Sequence, residues 1–267
     1  MEEEFINDID YLDQHFLVDK GVINAFVDAA DIKITEDVVE IGPGKCEISD
    51  ILARRSKHLT CIEIDESLEH YINVLKDKHR NVDVIYGNAL TEYIPDCNKI
   101  VSALPYYITE PFIEKLLRCN FDSAILIVGK KFADAVNEKK PTKLALLTNS
   151  FFKVTKMMDI PPEAFNPKPR VMSSIIKLVP IKRDELNNNF KMFIFRELFF
   201  HRDRKLKNDL MESLIEFSKV HGVKLTKKES KKIIQDYNIP AETLDKMIES
   251  LSNDEYEYLY GVLEWKK

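Results

Sequence analysis

The sequence predicts an α/β fold: a Rossmann-like domain followed by a smaller all-α C-terminal domain. Three observations carry that expectation. Short β-branched runs alternate with segments of helical period between Val38 and Leu178, a glycine turn joins the first run to the helix after it, and strand signal all but vanishes beyond Val179.

Taken in order, the expected strands are Val38 to Ile41, Leu59 to Ile64, Val82 to Tyr86, Lys99 to Ser102 and Ser123 to Val128. Helices are expected between them at Glu47 to Arg55, Glu66 to Lys78, Glu110 to Arg118 and Lys131 to Val136. Such alternation is the pattern of a parallel sheet with helices on its faces. Phe151 to Met158 and Ser173 to Val179 read as two further strands that close the sheet, joined by a proline-rich loop from Pro161 to Pro169. A charged hinge, Pro180 to Asn189, then separates a first domain over residues 1–180 from helical segments over residues 190–267.

With 45% hydrophobic and 31% charged residues, a chain of 267 has the balance of a soluble globular protein with one substantial core and an appendage. No apolar run approaches the roughly eighteen residues needed to cross a bilayer. Met1 to Asp10 is acidic where a secretory leader is basic and then apolar, so a cytoplasmic protein without membrane partners is expected. Cys46, Cys61, Cys97 and Cys119 are irregularly spaced with no CxxC pair, which points to reduced thiols and no metal site. A net charge of -6 excludes a surface coated in positive charge but permits a local basic stripe. Two basic runs stand in the C-terminal part: Arg202, Arg204, Lys205 and Lys207, then Lys224, Lys227, Lys228, Lys231 and Lys232. Solvated helix faces are the plainest reading of both.

The segment Val39-Glu40-Ile41-Gly42-Pro43-Gly44-Lys45 ends a strand and opens a helix. Glycines there let the backbone approach a ligand with no Cβ in the way. The next strand ends in Ile62-Glu63-Ile64-Asp65, with a carboxylate placed to accept from two ribose hydroxyls. Together the turn and the acid suggest an adenosine-containing cofactor, although Gly42 and Gly44 would also serve a plain tight turn. A dinucleotide fits poorly, because Glu47 stands where GxGxxG needs its third glycine and a pyrophosphate would meet Glu40 and Glu47. A cationic sulfonium cofactor suits the acidic surroundings better.

After the fourth strand, Ala103-Leu104-Pro105-Tyr106 resembles the Asn-Leu-Pro-Tyr loop of amino-directed methyltransferases. Asp13-Gln14-His15-Phe16-Leu17-Val18-Asp19, Glu40 to Gly44, the run Pro161 to Ser173 and the basic stretch His201 to Asn208 all resemble segments of one family, in family order. The chain is thereby similar to the KsgA-like ribosomal RNA small-subunit adenine dimethyltransferases, class I enzymes that use S-adenosylmethionine. The resemblance implies cofactor contacts at His15, Leu17, Gly42, Gly44, Glu63, Ile64, Asn88, Ala89 and Ala103. It implies catalysis around Ala103, Leu104, Pro105 and Tyr106, with Tyr106 and Phe165 stacking on the target adenine. RNA contacts fall to Arg202, Arg204, Lys205 and Lys207, and the partner is small-subunit rRNA or the pre-ribosomal small subunit, bound by a monomer.

In that family an asparagine oxygen and a backbone carbonyl beside the proline are thought to accept the two amine hydrogens of adenine, and the methyl passes in line from sulfur. No metal is called for. This sequence departs at four places: Ala103 replaces the asparagine, Asn88 replaces an aspartate, Cys46 replaces a third glycine, and Gly129-Lys130-Lys131 replaces a tyrosine-glutamine-x-glutamate run. The loop Asn137 to Lys143 also looks short, and Lys143-Leu144 stands for an arginine-leucine. Two readings follow: a dimethyltransferase acting near the 3′ end of small-subunit rRNA, or a catalytically weak relative that binds rRNA as an assembly factor.

Overall fold

The computed structural model describes residues 14–265; Asp13 and the acidic Met1 to Asp10 segment lie outside the described residues. The chain forms two compact units, residues 1–134 with 154–179, and residues 135–153 with 180–267. Residues 135–153 therefore group with the C-terminal helices, whereas the sequence reading placed them in the first domain.

In the first unit the chain enters through β1 (Phe16–Leu17) and α1 (Lys20–Ala30), neither of which the sequence reading assigned. Asp19 caps α1 by accepting the Val22 N–H at 3.0 Å, and Val22, Ile23, Phe26, Val27 and Ala30 fall on one buried stripe. The alternating elements then follow: β2 (Asp37–Ile41), α2 (Glu47–Arg55), β3 (His58–Glu63), α3 (Glu69–Lys78), β4 (Val82–Tyr86), β5 (Lys99–Ala103), α4 (Thr109–Leu116), β6 (Ser123–Gly129) and α5 (Lys130–Asn137). Each expected strand and helix is present within a few residues. Leu59 to Ile64 is corrected to end at Glu63, which makes that carboxylate the last residue of the strand.

The seven-stranded sheet runs β4-β3-β2-β5-β6-β9-β7, where β7 is Phe152–Ile160 and β9 is Ser173–Pro180. Pairs β2/β3, β3/β4, β2/β5 and β5/β6 are parallel, and β9 returns antiparallel to β6. Strand order reverses between β2 and β5, so the crevice at their carboxyl ends is where an open α/β sheet takes a ligand. Buried residues such as Val38, Leu59, Val101 and Ile125 make the strands apolar, as a sheet covered on both faces requires.

The first helix lying wholly in the second unit is one the sequence reading missed, α6 (Lys143–Phe151). Thr142 caps it, and the hydroxyls of Thr148 and Ser150 bond back to the carbonyls of Leu144 and Leu146 at 2.7 and 2.6 Å. Polar side chains that would interrupt a helical pattern are thus satisfied inside the helix. After α7 (Arg183–Leu186) come α8 (Phe190–Phe200), α9 (Leu206–Val220), α10 (Lys227–Asp236), α11 (Ala241–Asp245) and α12 (Asn253–Val262). Ring pairs hold this unit's core, among them Phe199 stacked on Tyr256 at 5.6 Å and Phe193 edge-on to Phe217 at 5.2 Å.

Candidate active site

All thirteen residues the sequence reading placed in the cofactor and catalytic segments line one cavity of about 320 Å³: His15, Leu17, Gly42, Gly44, Glu63, Ile64, Asn88, Ala89, Ala103, Leu104, Pro105, Tyr106 and Phe165. The cavity lies at the carboxyl ends of β2 to β6, within the first unit.

Its floor is the turn after β2. Gly42 and Gly44 take φ of +68° and +56°, and a Cβ on Gly44 would stand 3.0 Å from the Phe16 ring, so conformation and space both require glycine there. The Gly44 N–H donates to Glu63 Oε2 at 3.1 Å, and the Asp65 N–H donates to Oε1 at 2.9 Å. Burial raises the Glu63 carboxyl above its usual range, against the pull of those N–H groups. The carboxylate thereby braces the turn while each oxygen keeps a lone pair for a ligand hydroxyl.

Cys46 follows in the left-handed region, with φ 63° and ψ 18°. The missing third glycine therefore leaves a non-glycine residue where glycine is cheapest, at a cost of about 1–2 kcal/mol. Burial pushes its thiol up to about 12, so it is an inert packing group. Behind the turn, Glu40 is 2% exposed, and burial raises its carboxyl to about 7.

Just past β4, Asn88 is exposed beside buried Ala89. Its Oδ1 accepts the Leu90 N–H at 2.9 Å, which holds the loop and leaves the second lone pair of that oxygen for a ligand. Ile64, 52% exposed, offers an apolar edge close by.

Across the cavity, β1 pairs antiparallel with β8 (Phe165–Asn166), setting Leu17 opposite Phe165. His15 Nδ1 donates to the Pro167 carbonyl at 2.8 Å, and Gln14 Nε2 donates to Asp65 Oδ2 at 2.8 Å. This two-residue ladder, unrecognised in the sequence, zips the N-terminal motif to the proline-rich loop. It brings the His15 ring to 6.3 Å from Tyr106 at an angle of 31°.

Ala103 ends β5, and the Leu104 N–H donates to the Ile127 carbonyl at 3.1 Å, fixing the loop's departure. Tyr106 is half-buried with its hydroxyl 2.7 Å from Ser173 Oγ, a partner the sequence reading quoted but gave no role. No carboxamide stands at 103, so the side chain there offers the cavity no hydrogen-bond acceptor. In the altered run, Lys130 reaches Asp134 at 2.5 Å and Asp159 at 3.5 Å, and Lys156 joins the same two carboxylates.

In the second unit, the basic segment is largely ion-paired. Arg204 reaches Glu212 at 2.8 Å, while Lys205 and Lys207 share Asp245 at 3.4 and 2.6 Å. Buried Asp209 lies 2.8 Å from His201 Nδ1, and burial raises its carboxyl to about 6 despite His201 and Arg204.

Comparison with known proteins agrees with this geometry. The ribosomal RNA adenine dimethylase model matches residues 9–252. A probable ribosomal RNA small subunit methyltransferase A from Pyrococcus abyssi is 34% identical over 76% of this chain and 76% of its own. The ribosomal RNA small subunit methyltransferase A of Borreliella burgdorferi is 32% identical over 94% of this chain and 86% of its own. Among solved structures, a dimethyladenosine transferase from Plasmodium falciparum superposes with a TM-score of 0.64 at 25% identity, covering 93% of this chain and 99% of its own. The 23S rRNA methyltransferase ErmE shares the fold, with a TM-score of 0.60 at 19% identity over 93% of this chain and 99% of its own. On the match over residues 9–252 and the motifs gathered in one cavity, the chain belongs to the ribosomal RNA adenine dimethylase family.

Proposed function

We propose that this protein methylates the exocyclic amines of adenines near the 3′ end of small-subunit rRNA, using S-adenosylmethionine, during assembly of the small subunit in the cytoplasm. The observation that carries the reading is the convergence of the glycine turn, Glu63, Asn88 and the Ala103–Tyr106 loop on one cavity. The donor set fits the cofactor: an open backbone at Gly42, a carboxylate beside it, an amide oxygen and apolar Ile64 match a methionine end, a ribose and an adenine. When bound, S-adenosylmethionine supplies an electrophilic methyl group on a sulfonium.

The chain's own residues do the rest by placement. Glu63 accepts from the ribose hydroxyls, and Asn88 Oδ1 accepts from the cofactor's amino group without charge assistance. Tyr106, held by Ser173, presents its ring to a flipped adenine, and Phe165 lines the same space. The backbone carbonyl beside Pro105 accepts one amine hydrogen. With no acceptor at Ala103 the second stays unmatched, so methylation is expected to be slow but measurable.

Arg202, Arg204, Lys205 and Lys207 contact phosphates in this reading. Exposed ion pairs contribute only about 0–1 kcal/mol, so a phosphate chain displaces Glu212 and Asp245 at little cost. Incubation with labelled S-adenosylmethionine and undermethylated small subunits tests the function. Label in dimethyladenosine supports it, and rRNA binding with no label transfer overturns it in favour of an assembly factor.

A further inference from the structure

The two basic runs of the second unit differ in their counter-charges. Around 202–207 the ion pairs to Glu212 and Asp245 partly offset the charge of Arg204, Lys205 and Lys207. On α10 the lysines stand at 227, 228, 231 and 232, a spacing that puts them on one side of the helix at about 100° per residue. Lys224 precedes them, and all five are exposed. Among the described residues, the ion pairs of this unit's helices fall elsewhere, and none of the five has a carboxylate within 4.0 Å.

The helix's own acids do not supply the missing charge. Glu229 is held in the capping box, where its carboxylate accepts from the Thr226 N–H and hydroxyl at 2.8 and 2.6 Å, and Asp236 closes the far end. Lys227 with Lys231, and Lys228 with Lys232, are like-charged i, i+4 pairs, which destabilise a helix. Lys227 and Lys228 also sit in the first turn, where the macrodipole is already positive. The strip bordering that side is anchored: Ser230 and Ile234 are buried, and Ser230 Oγ donates to the Met211 carbonyl of α9 at 3.1 Å. A fixed helix thus presents an uncompensated cationic face on a chain of net charge -6.

We propose that this lysine face of α10, with Lys224, is a docking surface for the phosphate backbone of the rRNA substrate, in addition to the 202–207 segment. The proposal rests on the reading of the chain as an rRNA methyltransferase. Lysines on phosphates fix register and affinity and carry no base sequence, so the surface governs how tightly rRNA is held and not which adenine is chosen.

The test is the salt dependence of binding to an rRNA fragment carrying the small-subunit 3′ end, read by fluorescence anisotropy between about 50 and 200 mM salt. Three proteins are compared: the parent, a variant with Lys227→Gln, Lys228→Gln, Lys231→Gln and Lys232→Gln, and the same four positions changed to arginine. Each lost phosphate contact lowers the slope of log K against log salt by about 0.7–0.9. The glutamine variant is expected to lose roughly two to three such increments and more than tenfold affinity at the low-salt end, and the arginine variant to keep both. The glutamine variant's thermal midpoint should hold or rise, since like-charge repulsion is relieved. A parental slope in the glutamine variant, with binding still weakened by reversing Arg204 and Lys207, overturns the docking surface and leaves the functional reading standing. A parent that binds no rRNA overturns both. Loss of binding to anionic-lipid vesicles with an unchanged RNA slope would assign the face to a membrane surface and overturn the proposal.

Discussion

Replacing Ala103 by asparagine addresses the chemistry of the site most directly. Ala103 ends β5 half-buried on the cavity wall, and its backbone is fixed by the register to Ile127 and by the Leu104 N–H on the Ile127 carbonyl. Ala103 lines the cavity, so a carboxamide there is expected to reach into it. One preorganised polar partner at a transition state is typically worth about 10²–10³ in rate, or about 2.7–4 kcal/mol. Ala103→Asn should therefore raise the first methyl transfer by that factor in single turnovers on undermethylated small subunits, with RNA affinity unchanged. That separation marks an interaction made mainly in the transition state. A monomethylated adenine keeps one amine hydrogen, which the carbonyl beside Pro105 can take, so the second transfer should gain less. An unaltered first-step rate, with cofactor and RNA binding intact, would refute the reasoning and place the limitation near Gly129 to Lys131.

Three further outcomes are expected. Glu63→Gln keeps the side chain's shape but turns one oxygen into a donor facing donors, and should weaken S-adenosylmethionine binding by about 1.5–3 kcal/mol in calorimetry. Glu63→Ala should additionally lower the melting temperature, because the Gly44 and Asp65 N–H groups lose their acceptor; unchanged affinity in both variants would remove Glu63 from the ribose. Glu40, raised from 4.5 to about 7, keeps a proton in the folded state that the unfolded chain has lost. Its contribution therefore falls by roughly 3 kcal/mol as pH rises from about 4.5 to 7. Glu40→Gln should flatten that decline in denaturant titrations, and an undiminished decline would show that other groups cause it. At Cys46, a β-branched residue meets the αL region badly, so Cys46→Val should cost more than about 2 kcal/mol, whereas Cys46→Gly stays within about 1 kcal/mol of the parent; a neutral valine variant would contradict the φ of 63°.

The parallel strands were legible because strands buried on both faces are apolar along their whole length, and a glycine turn followed by an acid marks the first two. The motif residues were legible as a set, and the structure brings them into one cavity. What periodicity did not reveal depends on contacts distant in the chain. The β1/β8 ladder joins residues about one hundred and fifty positions apart, and a two-residue strand has no period to detect. Helix α6 hid behind Thr148, Asn149 and Ser150, whose polarity is satisfied by carbonyls of α6 and of Val136. The grouping of 135–153 with the C-terminal helices could not be read from a hinge at Pro180, since no composition change marks the earlier crossing. Nor does a basic run announce its counter-charges: Asp245 lies far along the chain from Lys205 and Lys207, and only folding reveals that pairing.

The four departures from the family pattern share a location, and that explains how an intact scaffold tolerates them. Cys46 follows β2, Asn88 follows β4, Ala103 ends β5 and Gly129 ends β6, each at a carboxyl end. Strand interiors such as Ile100, Val101, Ile125 and Leu126 are fully buried, so change there costs folding energy and is constrained by it. Of the four, Asn88 and Ala103 line the cavity, so change there costs chemistry, whereas buried Cys46 packs behind the turn and Gly129 lies beside the Tyr106 ring. The structure shows local accommodation as well. A Cβ on Gly129 would stand 3.7 Å from the Tyr106 ring, an ordinary contact, and the hydroxyl of that ring is held by Ser173. Lys130, in turn, is tied to Asp134 and Asp159, which secures the start of α5 by other means. Conservation of the fold is thus no measure of the chemistry left at its rim. Activity in this protein turns on whether positioning by Tyr106, the carbonyl beside Pro105 and Glu63 suffices once the acceptor at position 103 is gone.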